Sequence, residues 1–265
     1  MQIFERKKGS KRRKFLSVSI LLSLGLFIVS RLPIESRYSA IAFFALASYL
    51  LSAWSLFKDL HGVNWLINLI LPTMYPVSVA LFYFLLPQAV MTRMIVVILF
   101  GVSMYGLLLT ANIFAVASIR TIQLLRAARA VGFLLSILTS AFLYHVIFSL
   151  RLPSYVIGSC VFAISLPILW QGVWSHVVSS TIKREFYYAL VGAVVIAEMA
   201  LALSFWFISV PMSSVLLAMG MYVTLGLFQH DLEGRLFVRT MQEYLGFAGI
   251  VFVVVTLAVL YRWMR

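Results

Sequence analysis

Long apolar runs alternate with short polar breaks from one end of the chain to the other. Nine of these runs are long enough to form a helix across a bilayer, which takes about 20 apolar residues. They fall at 15–31, 38–57, 64–86, 94–112, 131–149, 154–177, 187–209, 212–229 and 244–262. The third run holds Pro72 and Pro76, and the sixth holds Pro167. Proline removes a helix hydrogen bond, so both spans are expected to be kinked or locally unwound.

Composition agrees with that pattern. Hydrophobic residues make up 63% of the chain, charged residues 11%, and the mean hydropathy is +1.04. Soluble domains are about half apolar and about a quarter charged, so a water-soluble enzyme is excluded. The predicted fold class is all-α, a polytopic transmembrane helix bundle of about nine spans. Residues 1–14 read as a basic cytoplasmic tail and 15–262 as a single transmembrane domain. Nine spans leave no length for a separate soluble domain. Phe15–Ser30 could be the apolar part of a signal peptide. However, Arg31-Leu32-Pro33 stands where a small-residue cleavage site should lie, which favours an uncleaved first span. A single cysteine, Cys160, excludes an internal disulfide and a cysteine-based metal site.

The net charge of +13 would suggest nucleic acid in a soluble protein. Here the charges follow the spans instead. With a cytoplasmic N-terminus, most of the 21 Lys and Arg fall inside: the tail, Lys58, Arg120, Arg126, Arg129, Lys183, Arg184, Arg235 and Arg239. That is the positive-inside bias of a plasma (inner) membrane protein, and an odd span count puts the C-terminus outside. Trp54, Trp65, Trp170 and Trp174 fall toward inside ends, and Trp206 and Trp263 toward outside ends, as headgroup-level indoles do. The cluster Lys7, Lys8, Lys11, Arg12, Arg13 and Lys14 reads as a topology signal that also suits anionic lipid. The expected partner is the lipid bilayer, with anionic lipid at the N-terminal tail, and not nucleic acid; the sequence names no protein partner.

Short strings recur at nearly one offset. Arg31-Leu32-Pro33 returns as Arg151-Leu152-Pro153, and Leu81-Phe82-Tyr83 before Pro87 resembles Phe205-Trp206-Phe207 before Pro211. Met104-Tyr105 returns as Met221-Tyr222, and Arg120-Thr121-Ile122-Gln123 as Arg239-Thr240-Met241-Gln242. The implied architecture is two parallel four-helix repeats, 15–123 and 135–242, followed by a ninth span at 244–262. Parallel repeats are related by an axis along the membrane normal.

Site motifs are sparse. The phosphate-loop, dinucleotide, zinc-protease and nucleophile-elbow motifs do not occur. The four histidines are scattered, so no metal, cofactor or catalytic set is expected, and neither is enzymatic activity. Cys160 and His145 could be paired as a peptidase dyad, but a buried cysteine usually packs as a small hydrophobe. Arg120-x-x-Gln123-x-x-Arg126-x-x-Arg129 has the spacing of a voltage-sensing helix. The first four spans offer it no acidic partner, so an interfacial amphipathic helix is the better reading.

Glu198 stands apart. Of eight acidic residues, the other seven are read as tail or loop, whereas Glu198 lies near the middle of the seventh span. A charged side chain there costs about 2.5–3.5 kcal/mol on insertion scales. Gly192 and the surrounding alanines allow another helix to come close. At offset 124 its counterpart is Met74, beside Thr73 and Tyr75 and between the two prolines. The expectation is that Glu198 faces the bundle interior, near Asn68, Thr73 and Tyr75, as a midplane binding site.

The strings NIFAVASIRTIQLLRAARAVGFLL (112–135), AEMALALSFW (197–206) and GRLFVRTMQEYL (234–245) resemble segments of a family of uncharacterised bacterial integral membrane proteins. The resemblance covers mainly residues 95–260. It implies a class and a bacterial membrane location, with no activity attached. Two functions follow as expectations. One is a small-solute or ion transporter, or a transport-associated component, with a site near Glu198. The other is a non-transporting scaffold that binds partner proteins or lipids.

Overall fold

The computed structural model describes residues 2–33, 36–57, 64–87, 89–117, 124–177 and 182–263, with side chains for all of these but 2–10, 64, 177, 182, 262 and 263. Among the described residues the chain forms nine helices and no strand. They are α1 Gln2–Val29, α2 Arg37–Leu56, α3 Asn64–Tyr83, α4 Val90–Ala117, α5 Leu125–Ser149, α6 Ser154–Val177, α7 Ile182–Ser204, α8 Val210–Leu232 and α9 Val238–Trp263. Eight of them, α2 to α9, are long and apolar enough to cross a membrane. The exception is α1, because its basic residues continue the same helix into the apolar stretch from Phe15.

Two differences from the sequence pattern have simple causes. The apolar segments 84–86 and 205–209 leave the helix, since α3 stops at Tyr83 and α7 at Ser204. Pro87 disfavours helical backbone at Leu86, and Pro211 lies in the first turn of α8, so 205–209 form the turn that enters that helix. Conversely, α4, α5, α7 and α9 run past their apolar cores to take in Arg93, Arg126, Arg129, Lys183, Arg184, Arg239 and Glu243. Polar side chains reach water readily from a helix that extends beyond the hydrocarbon. The unwinding expected at Pro72, Pro76 and Pro167 does not occur. Both α3 and α6 are helical throughout, with the prolines inside.

The chain divides into two compact units, Met1–Thr139 and Ser140–Arg265. In the first unit α1 packs on α2 and α4, and α3 on α2 and α4. The α1–α4 contact is close because Gly101 faces serines. The Ser19 hydroxyl donates to the Gly101 carbonyl at 2.5 Å, and a Cβ on Gly101 would meet Ser23 Oγ at 2.7 Å. Phe15, Leu22, Leu26, Phe100, Met104 and Phe114 are fully buried there.

In the second unit α6 packs on α7 and α8, α7 on α8, and α9 on α8. The second half of α5 bonds to α6 through Tyr144 and Ser165 (2.7 Å), and to α8 through His145 Nδ1 and Ser214 Oγ (3.1 Å). α6 is the most enclosed helix. Five consecutive residues, Gln171–Ser175, are buried, so its last turns are covered on every side. Trp174 is among them, fully buried, and is therefore a core side chain instead of a headgroup anchor. By contrast, α9 buries only Val255 among its described side chains. It is held through Tyr244, which packs on Tyr222, on His230 and over Gly226. The α8–α9 turn is closed by Gly234 at φ +66°. Its N–H donates to Asp231 O, and the Arg235 N–H donates to His230 O. That is the left-handed helix stop for which glycine has no steric penalty.

Candidate functional site

The expected midplane site has to be built from α3 and α7, which lie in different compact units. On α3, Asn68 is fully buried and its amide donates to the Ala111 carbonyl of α4 at 2.8 Å. Tyr75 is buried, stacks on Phe100 (centroids 5.7 Å apart) and hydrogen-bonds to Ser103. Thr73 turns its hydroxyl back onto the Leu69 carbonyl at 2.8 Å. These three polar groups therefore bond within or between helices of the first unit. Among the described residues Asn68 Oδ1 has no partner. Interhelical side-chain bonds in membranes contribute about 0.6 kcal/mol on average. Asn68→Leu is accordingly expected to change stability by less than about 1 kcal/mol in thermal unfolding in detergent. A larger loss would mean that Oδ1 holds something of its own.

Glu198 does not face the interior. It is exposed, on the same side of α7 as Val191, Val194 and Val195, whereas Ala189, Gly192, Ala193, Ile196 and Ala200 are buried. The small residues do allow close approach, but the helices that use it are α6 and α8. A Cβ on Gly192 would meet Leu169 of α6 at 2.9 Å, and Phe228 and Thr224 of α8 at 2.8 and 2.9 Å. Glu198 lies about half a turn around the helix from the centre of the buried stripe Ala189, Gly192, Ala193, Ile196 and Ala200. The face that packs and the face that carries the acid are thus opposed.

Of the basic cluster, Lys7 and Lys8 belong to α1, with side chains outside the described residues. Arg12 and Arg13 are exposed, and Lys14 lies over the Trp54 ring, 4.8 Å from its centroid. Arg120 and Gln123 lie outside the described residues. Arg126 and Arg129 open α5, with Arg126 exposed. Cys160 is half-buried on α6, and His145 is engaged with Ser214. No group of three or more His, Cys, Asp or Glu that could hold a metal occurs among the described residues.

Two polar assemblies of the second unit were not expected. At one end, His176 of α6 meets Glu233 at 3.1 Å, and the Tyr188 hydroxyl of α7 donates to Asp231 of α8 at 2.5 Å. Glu185, in the first turn of α7, is fully buried, and Gln229 donates to the Gly172 carbonyl at 2.9 Å. Glu185 and Asp231 thus belong to helices, not to loops. These groups tie α6, α7 and α8 together at their polar ends. At the other end, a cavity of about 780 Å³ opens where α5 turns into α6 and α7 into α8. Phe148, Trp206 and Val259 are among its apolar walls, and Arg151 lines it. In the sequence Arg151 figures only in the repeated Arg-Leu-Pro string, and only the fold shows that it lines a cavity.

Eight long apolar helices in an all-helical chain, with buried polar groups bonded across helices, define a polytopic α-helical membrane protein. The chain belongs to the family described as "Protein of unknown function (DUF5656)", which matches residues 24–258. Comparison with curated proteins gives no match, and comparison with solved structures gives none.

Proposed function

We propose that this protein is a non-transporting membrane scaffold, and that the exposed face of α7 around Glu198 is where a partner protein seats. The observation that carries this is the side on which Glu198 lies. A carboxyl near the middle of a span, among exposed valines, is unfavourable against acyl chains by about 2.5–3.5 kcal/mol. A partner helix that hydrogen-bonds to it offsets that cost. Transport of a small solute or ion through a midplane site asks for an inward-facing acid, so the exposed setting weighs against it. The membrane is taken to be a bacterial plasma membrane, with the N-terminus cytoplasmic and the C-terminus outside, by the distribution of Lys and Arg. The Lys7–Lys14 cluster would then meet anionic lipid on the inner face. A duplication of four helices belongs to this reading on the strength of the strings that recur at nearly one offset, such as Arg31-Leu32-Pro33 and Arg151-Leu152-Pro153. No enzymatic activity is proposed.

Photo-crosslinkers at Val194 and Val195 test the reading in native membranes. The expected result is a protein adduct of defined mass, lost or strongly reduced by Glu198→Leu and retained by Glu198→Gln. Glu198→Leu should leave thermal stability in detergent unchanged or raised, because an exposed acid holds no internal contact. Crosslinks to lipid alone, or a bundle loosened by Glu198→Leu, would refute the proposal.

A further inference from the structure

The geometry points to a second binding site, independent of the α7 face: the cavity between the α5–α6 and α7–α8 turns holds the phosphate headgroup and upper chain of an anionic lipid. Three features converge there. The first is charge. Arg151 is the cation that lines the cavity, and no acidic residue lines it. Among the described residues the Arg151 side chain makes no ion pair with a carboxylate. The second is the start of α8. Ser209, Val210 and Ser213 border the cavity, and Ser209 makes no side-chain cap. The first turn of a helix presents unsatisfied N–H groups and the positive end of the dipole, both of which favour an anion. Pro211 has no N–H to contribute, which leaves those of Val210 and Met212 for a ligand. The third is the wall. Phe148, Trp206 and Val259 supply apolar surface continuous with the exposed aromatics Phe205 and Phe207. A fully hydrated anion gains nothing from such walls, whereas an amphiphile places its phosphate at the cation and its chain along them. The volume of about 780 Å³ lies within the range of ligand sites. Helix ends in a membrane protein lie near headgroup depth, where phosphates are.

The backbone of Arg151 adds weight. It sits at φ +49°, the only described residue other than glycine with positive φ. The helix stop at that point would suit glycine, as Gly234 shows after α8. Arg151 is exposed and lines the cavity, so a cation stands at this left-handed stop with its charge open to a ligand. A guanidinium also matches phosphate by paired hydrogen bonds better than an ammonium does.

This provides a clean test, because Arg151→Gly relieves the backbone while it removes the charge. Full-length protein is placed in nanodiscs of phosphatidylcholine with or without phosphatidylglycerol. Retained lipid is counted by native mass spectrometry, and the rise in Tm is measured. Wild type is expected to hold phosphatidylglycerol preferentially and to be stabilised by it. Arg151→Gly should fold at least as well and bind phosphatidylglycerol roughly tenfold more weakly, the loss of one charge-assisted contact. Arg151→Lys should fall between. Ile208→Trp, which fills the cavity with the arginine intact, should also displace the lipid. Inorganic phosphate alone should leave Tm unmoved. The inference is overturned if Arg151→Gly binds phosphatidylglycerol as wild type does, since retention would then belong to the Lys7–Lys14 cluster. It is equally overturned if phosphate alone protects as well as the lipid, or if phosphatidylcholine is held as tightly as phosphatidylglycerol.

Discussion

Gly192→Leu is expected to unfold the second unit or to prevent its accumulation in the membrane. A single methyl at this position meets three side chains on two helices, Leu169 of α6 and Phe228 and Thr224 of α8, all within 2.9 Å. All three are side-chain atoms on helices that pack on α7 and on each other, so each must shift to admit the methyl. Overpacking of this kind costs about 1–3 kcal/mol for small additions. Gly192→Ala should therefore lower Tm measurably, and Gly192→Leu should exceed the range. Thermal unfolding in detergent, read beside expression level, checks both. An alanine variant as stable as wild type would mean that the three helices are not held so closely. Leucine at Gly246 or Gly249 of α9 is the control, since a Cβ there meets nothing within 4 Å.

Trp174→Ala is expected to cost about 3–5 kcal/mol, the usual loss for a large aromatic removed from a packed interior. Trp174 is fully buried in the enclosed end of α6, between Val173 and Ser175, which are buried too. Truncation leaves a void that the surrounding helices cannot collapse to fill. The indole Nε1 has no hydrogen-bond partner among the described residues. Trp174→Phe should therefore lose much less than Trp174→Ala, because it keeps most of the volume and removes an unsatisfied donor. Equal losses for the two variants would show that the N–H has a partner which matters. Trp54→Ala is the comparison, as that ring is 56% exposed and its loss should be slight.

Much of the fold was legible because the bilayer imposes a length. An apolar run must reach across the hydrocarbon, and each of the nine runs holds a helix. Helix ends were less legible, for opposite reasons at the two kinds of end. Phe205–Ile208 is as apolar as any span, yet Pro211 and the turn into α8 take it out of the helix. Lys183-Arg184-Glu185 is as polar as any loop, yet it is helical, because backbone bonding within a helix does not depend on the solvent around it. Trp174 illustrates the same limit. Its place near the end of a run suggested a headgroup anchor, but three packed helices make that end an interior.

That this is a helical membrane protein of about nine spans, with one acid well inside the seventh apolar run, was readable from the chain alone. Those properties depend on composition and on distance along the chain, which hydrocarbon thickness reads directly. Which way the acid faces and where a cavity opens came only with the packing of the helices. Facing is set by which stripe of a helix its neighbours occupy, and on α7 the small residues drew α6 and α8 to the side opposite Glu198. The cavity arises where two turns far apart in sequence, at Arg151 and at Ser209, meet without filling the space between them. A side chain carries no record of that encounter until the helices have packed.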